Sequence, residues 1–497
     1  MAFSIIQKPV DSTDDVPVLT NWTPMVGYMM YQSDISSYFF YRIVCTVQQV
    51  DNSGSVLKTL GVLKQRRNGY GPDNDSGTQR ARAFFDLASL VNSQLVDTVY
   101  DQNDAGIPFR TIHKVGQNIT KIFSYNGDTS QGFVQIISIL MTGSEWYSTD
   151  ATEMPSSQGS TVTNTRIWLG ASLPLMTARD DDADFIQGTA FSNYRMIGGS
   201  QAKFLSDIEA QIDYNLSATS EVYRNYVLED DYGTLAFLND YDNFACDADR
   251  MRITYTNVDG STASYYIDNN TTNGGMPPDD ASIEDTNRLL YVGVFPGNLN
   301  DCIQLPAATT WGGATTNGIA RPNQQGDWIY YKVEFFTLSV SIINVPYFFI
   351  KDTGNCKGYK IRRLAWRNSL GCWDYFNFKM KSSQKVDVTR NNYSTVLGTF
   401  NKSRWRYDNT QRGSKTRQTT AILKETLNTG WISEADGRLM EKLIVSTNVQ
   451  IVENIHTTYT ESVMVTDTSF IRKTIANDKF IQYTINIEYA NPINTNS

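Results

Sequence analysis

The run Ile481-Gln482-Tyr483-Thr484-Ile485-Asn486-Ile487-Glu488-Tyr489 decides the fold class. Its apolar side chains fall at every second position with polar residues between them, which marks a strand with one dry face and one wet face. Upstream, Leu364 and Trp366 lead into Asn368-Ser369-Leu370-Gly371, after which Phe376, Phe378 and Met380 alternate again. That pattern predicts a β-hairpin. Between these two features, Ser433 and Asp436 stand three apart, the spacing of a helix-capping box. Leu439, Met440, Leu443 and Ile444 then form one apolar stripe, with Arg438, Glu441 and Lys442 left for water, and the helix should end near Val445. Strands are predicted over 449–456, 458–466 and 469–475.

The rest of the chain repeats the β theme. Its 497 residues exceed what one core accommodates, so several domains are expected. With 28 Tyr, 23 Phe and 9 Trp beside frequent Thr, Asn and Ser, the composition favours strands joined by polar loops. The expected class is mainly β and multidomain: β-sandwich and β-hairpin modules, a few short helices and a C-terminal α+β module. Residues 1–37, interrupted by Pro9, Pro17 and Pro24, read as an extended arm or a loose terminus. Residues 38–100 form an N-terminal β module, with a strand from Phe39, a turn at Asp51-Asn52-Ser53-Gly54, a strand over Val56–Leu63 and a short strand and helical turn over Phe84–Val91. A central β-rich region, 101–346, follows. It contains a buried strand over Phe133–Leu140, a polar loop at about 148–165, a helix over Ala202–Leu216, a turn rather than a helix at Phe295-Pro296-Gly297-Asn298 and a strand over Trp328–Phe336. The last module, 347–497, is basic and then β-rich.

Few residues invite chemistry. His113 and His456 are the two histidines, and neither accompanies a Gly-x-Ser-x-Gly elbow or a Cys-His motif, so both read as structural or surface groups. Cys45, Cys246, Cys302, Cys356 and Cys372 are widely spaced and odd in number, which fits reduced, buried thiols better than a disulfide framework. The carboxylates at 180–184 could hold Ca²⁺ but lack the spacing and glycine of an EF-hand, so a solvated acidic loop is the plainer reading. Acids among Glu229, Asp230, Asp231, Asp240 and Asp242 could pair as in glycosidases, a weak signal in an acidic chain. No phosphate-cradling glycine motif appears, and neither cofactor nor resident metal is expected. The amino-terminal run lacks the basic and apolar regions of a secretory signal, and no stretch approaches the roughly 20 apolar residues of a membrane span.

Charge is distributed unevenly. Residues 179–301 hold 22 Asp and Glu against 7 Lys and Arg, whereas 347–417 hold 16 Lys and Arg against 4 Asp and Glu. Within the basic block, Lys402, Arg404, Arg406, Arg412, Lys415 and Arg417 are interleaved with Trp405 and Tyr407. Three readings fit this patch: a solvated loop, a surface that docks an acidic neighbour, and a DNA contact. A net charge of −9 is unlike a dedicated nucleic-acid binder. The acidic block in the same chain favours docking, because one subunit's basic face can meet the next one's acidic face around a ring.

The order Leu364-Ala365-Trp366-Arg367-Asn368-Ser369-Leu370-Gly371, then Trp373-Asp374-Tyr375-Phe376-Asn377-Phe378, Thr426-Leu427-Asn428-Thr429-Gly430-Trp431-Ile432-Ser433 and the closing Tyr483–Ala490 strand resembles a module of virion structural proteins in tailed phages of Bacteroidetes, including crAss-like podoviruses. The amino-terminal hairpin with Phe85-Asp86-Leu87 and Leu90-Val91-Asn92 resembles the start of such proteins, and the resemblance does not extend to 101–346. The resemblance implies a non-enzymatic neck or tail ring subunit below the portal, forming part of the DNA-ejection conduit. It implies a cyclic homo-oligomer, sixfold or twelvefold, with portal, other ring, hub or fibre proteins as partners. Passing DNA would be met without sequence-specific binding, and no membrane is involved. Such a protein is made in the host cytoplasm and resides in the virion. An acidic lumen formed by 179–301 would keep DNA from sticking. The alternatives are a tail hub, a fibre adaptor or a carbohydrate-binding receptor protein.

Overall fold

Backbone pairing makes this chain mainly β, with several sheets, hairpins and a few short helices. The computed structural model describes residues 3–7, 18–19, 27–32, 35–50, 54–66, 81–92, 94, 98–99, 110–111, 113, 123–124, 136–169, 204–209, 211–212, 221–238, 250–268, 289–300, 309–311, 314–316, 321–336, 345–353, 358–406, 410, 413–452, 460–473 and 481–496. Two compact units emerge, one comprising 1–352 with 367–374 and the other 353–366 with 375–497.

In the first unit, a five-stranded sheet is ordered Val18–Leu19, Ser156–Leu169, Ile136–Ser148, Phe39–Val50, Val56–Arg66. Tyr41, Ile43, Cys45 and Val47 turn inward at period two, as the alternation requires. The expected polar loop at 148–165 is corrected: Ser156–Leu169 is a strand in antiparallel register with Ile136–Ser148, from Ile136↔Leu169 to Gly143↔Val162. Thr161, Thr163 and Thr165 supply β-branched side chains that extend the backbone without apolar alternation. The arm over 1–37 is also corrected for its described part. Ser4–Gln7 and Gly27–Gln32 form a three-stranded sheet with Ala81–Asp86, because Tyr28, Met30 and Gln32 alternate onto a buried face. Gln32 and Tyr41 both donate to the buried Glu145 carboxylate, at 2.9 and 2.7 Å.

A six-stranded mixed sheet holds the aromatic residues. Its order is Gln211–Ile212, Glu221–Val227, Tyr347–Lys351, Trp328–Phe336, Arg250–Asn257, Thr262–Asp268. Tyr223, Tyr347, Phe349, Tyr331 and Tyr255 form a continuous buried layer with successive ring centroids 5.7, 5.0, 4.8 and 5.0 Å apart. Much of the chain's aromatic content is thus core. The helix expected over Ala202–Leu216 is absent from its described residues. Leu205 N–H donates to Ala236 O at 2.9 Å instead, and Ser206 and Asp207 bind the turn that follows Arg367. Short polar side chains that capture nearby amides favour such irregular backbone over helix. Conversely, Pro296–Asn300 is one helical turn where a plain turn was expected, with Pro acceptable at the first position and Gly297 against the Asp230 and Asp231 backbone.

The second unit carries an eight-stranded sheet in the order Trp373–Phe378, Arg362–Arg367, Val449–Val452, Thr460–Val465, Thr484–Tyr489, Ser414–Asn428, Ser383–Ser394, with Asn494–Asn496 also on Ser414–Asn428. Ile481, Tyr483, Ile485, Ile487 and Tyr489 are all buried. The helix Glu434–Val445 starts with the expected capping box: Asp436 N–H donates to Ser433 Oγ at 3.2 Å and Ser433 N–H to Asp436 Oδ2 at 3.3 Å. Leu439, Met440 and Leu443 are buried. The strand expected over 469–475 is not formed in its described part, 469–473, which is irregular; Arg472 there grips Glu441 of the helix through two hydrogen bonds.

Candidate functional site

The basic segment is a long two-stranded ribbon. Ser383–Ser394 pairs with Ser414–Asn428 from Ser383↔Thr426 out to Ser394↔Ser414. At its root the ribbon is part of the sheet core. The buried Glu425 accepts from Arg362 Nε at 2.9 Å, Gln384 Nε2 at 3.1 Å and Tyr489 OH at 2.8 Å. Burial pushes this carboxyl up, but the Arg362, Gln384 and Tyr489 donors outweigh it and hold Glu425 below its ordinary range.

Side-chain alternation divides the ribbon into two faces. Gln384, Val386 and Val388 share the face of Glu425, Leu423 and Ala421, so an apolar stripe continues outward from the core. Val386 and Val388 are nonetheless exposed. The opposite face is ionic: Lys385 and Lys424 flank Asp387 at 2.7 and 3.3 Å, and Lys424 also reaches Glu488 at 3.0 Å. Past Thr419, where Asn494–Asn496 ends its pairing, Asn391–Ser394 and Ser414–Gln418 have only each other as strand partners among the described residues. Every described residue in these two segments is exposed.

Five of the six predicted basic residues are described, and all lie on this ribbon or its tip. Thr399–Asn401 and Arg404–Arg406 form a small hairpin, with Lys402 in its turn at a φ of 58°. Lys415 lies opposite Tyr393, and Arg417 is the extra residue of a bulge between Asn391↔Gln418 and Asn392↔Thr416. Arg412 lies outside the described residues, as does Tyr407. Among the described residues, no carboxylate pairs with Lys402, Arg404, Arg406, Lys415 or Arg417.

The register separates the cations from the aromatics that interleave with them in sequence. Phe400 faces Trp405 directly, with ring centroids 5.2 Å apart at 82°, while Arg404 and Arg406 pair with Asn401 and Thr399 on the other side. Gly398 makes this packing feasible. It has a φ of 100°, and a Cβ there would lie 2.7 Å from Trp405 Cε2 and 2.9 Å from Arg406 O. Sequence reasoning singled out only the cations with Trp405 and Tyr407 in this region and so missed Val386, Val388, Val396, Leu397 and Phe400 as exposed apolar groups. The β-branched run Val386-Asp387-Val388-Thr389 was the available signal.

Other candidates have structural roles. His113 is buried edge-on against Trp373 at 4.7 Å, and its carbonyl accepts from Asn298. Glu229 pairs with Lys351 at 2.5 Å, and Asp231 accepts the Leu228 amide at 2.9 Å. Cys45 and Cys372 are buried cysteines outside any disulfide, and burial pushes the Cys45 thiol up to about 12. His456, Asp240, Asp242, the carboxylates at 180–184 and Cys246, Cys302 and Cys356 lie outside the described residues. No helix among the described residues is long and apolar enough to cross a membrane. No protein-family model matches the chain, and no curated protein matches its sequence.

Proposed function

We propose that this chain is a structural subunit of a phage virion that assembles with copies of itself into a ring of the neck or tail, below the portal and around the path of DNA ejection. The observation that carries this reading is the ribbon over Ser383–Asn428. It leaves the sheet as two strands and displays Val396, Leu397 and Phe400 to solvent beside cations that pair with no carboxylate among the described residues. An isolated two-stranded ribbon is marginal in water, and exposed apolar groups on a projecting element suit burial against another protein. Rigid sheets that hold a projecting arm are what a ring subunit requires.

The exposed Phe400–Trp405 pair also supports a second reading, a tail protein that stacks aromatic rings on carbohydrate. Mass measurement of the purified protein, with negative-stain imaging, separates the two. Closed rings are expected; a monomer at about 100 µM would overturn self-assembly, since that concentration exceeds a micromolar Kd about a hundredfold. A compact trimer that binds host polysaccharide would favour the second reading.

A further inference from the structure

We propose that the outer face of the five-stranded sheet is a phosphate-binding surface that meets duplex DNA through its backbone, without regard to sequence. The proposal deepens the ring reading and rests on it only for where the DNA comes from. Strand register defines the surface. Trp146 pairs with Arg42 and Arg42 with Arg66; two residues along, Ser144 pairs with Val44 and Val44 with Lys64. Directly paired residues share a face, and positions two apart on a strand return to it. Arg42, Lys64 and Arg66 therefore stand together on one face, beside Trp146 and Ser144. The other face is core, where Ile43, Cys45, Val47, Ile139 and Met141 are buried.

The chain does not neutralise these cations itself. Glu145 is the one acid of Phe39–Val50, Val56–Arg66, Ile136–Ser148 and Ser156–Leu169, and it is buried on the core face. Among the described residues, no carboxylate pairs with Arg42, Lys64 or Arg66. Arg42 Nε is buried with no hydrogen-bond acceptor among them, and the guanidinium lies over the Trp146 ring, 5.3 Å from its centroid. Arg42 and Arg66 oppose each other directly, a like-charge pairing that weakens a sheet and that a bound anion would relieve. Phosphate suits the place. Its usual donors are Arg, Lys, Ser and Thr, and Ser157 and Thr161 extend the same two rows opposite Trp146 and Ser144. An acidic protein would need apolar surface to bury at the centre of the contact, but Val44, the aliphatic residue of these rows, is already buried. Single-stranded DNA is a poorer occupant, because Arg42 takes a face of Trp146 on which a base would stack.

Fluorescence anisotropy of a labelled duplex of about 20 base pairs, titrated with full-length protein whose mass is followed in parallel, tests the surface. Binding with a Kd of about 10⁻⁴–10⁻⁶ M that weakens steadily as salt rises is expected. Lys64 and Arg66 are exposed, so the double variant Lys64→Gln, Arg66→Gln should fold as the parent does. It should bind at least about tenfold more weakly, and its slope of log K against log salt should fall to about a third, since one phosphate contact of three remains. The control Arg404→Gln, Arg406→Gln, on the ribbon tip, should keep the parent's binding. A parent that ignores the duplex, a sheet variant that binds like the parent, or a loss confined to the ribbon control would overturn the proposal. So would polyglutamate competing as well as the duplex, which would mark an acidic protein as the partner, or tighter binding to a single strand of the same length. Closed rings without affinity for the duplex would remove this surface and leave the ring reading intact. Duplex binding by a chain that stays monomeric would keep the surface and overturn the ring.

Discussion

Glu425 and Asp374 are both buried carboxyls, and their neighbours push them in opposite directions. Glu425 is held low by Arg362, Gln384 and Tyr489 despite its burial. It is therefore more acidic folded than unfolded, and its contribution is full above the ordinary value of 4.5 and lost as pH falls through the lower folded value. Glu425→Ala should destabilise the second unit by about 3–5 kcal/mol, since it leaves Arg362 buried without its carboxylate. Denaturant unfolding between pH 6 and 3 should show a steep loss in the parent and a shallower one in the variant. Asp374, in the first unit, accepts from Ser206 Oγ at 2.5 Å and Asp207 N–H at 2.8 Å, while Asp207 accepts from the Ser369 amide and hydroxyl. Burial and the Asp207 charge raise Asp374 to about 7. Here the sign reverses: the folded state retains a proton that the unfolded state releases near 3.8, so stability present at low pH is lost as pH rises toward 7. Asp374→Asn, with its amide donating to Ser206 Oγ, should flatten that slope, read as hydrogen exchange across 204–209 and 368–374 at pH 5 to 8. Neither residue stood out in sequence, because a carboxylate's surroundings come from strands far away along the chain.

At the scale of elements, legibility followed apolar periodicity. The strand ending at Tyr489 and the helix after Ser433 were readable because each buries one face at the period of its backbone. Ser156–Leu169 and the ribbon were not, since both put polar side chains on exposed faces and owe their form to pairing rather than to core burial. Phe204 and Leu205 suggested a helical face, yet they are buried in irregular backbone whose side chains and amides bind elsewhere. The ribbon tip depends on Gly398, whose positive φ and contact with the Trp405 indole leave no room for a side chain. Gly398→Ala should loosen residues 399–406 while costing global stability little, because the tip lies outside the core. Limited trypsin digestion should cut several times faster after Arg404 and Arg406 in the variant. Unchanged cleavage would mean that the hairpin does not need this glycine.

At the scale of the whole molecule, fold class came from the composition and alternation of the two ends, whereas the proposed role comes from how charge is placed on the fold. Half of the basic block's 16 cations fall on the two-stranded ribbon and its tip, so that part of its charge is carried out from the sheet. Exposed charges separated by more than about 8–10 Å are largely screened at physiological ionic strength, and adding salt shortens that range to about 3 Å at 1 M. Self-association through the ribbon should therefore weaken as salt rises from about 50 mM to 0.5 M, mainly through slower association, because rim charges steer encounter more than they hold the complex. An association driven only by apolar burial would keep or gain strength over the same range. Hydrogen exchange supplies an independent view of the same event. Amides of Asn391–Ser394 and Ser414–Gln418, which have only each other as strand partners among the described residues, should exchange quickly in the monomer and become protected in the oligomer. Protection confined to other sheets, with association indifferent to salt, would place the assembly contact away from the ribbon.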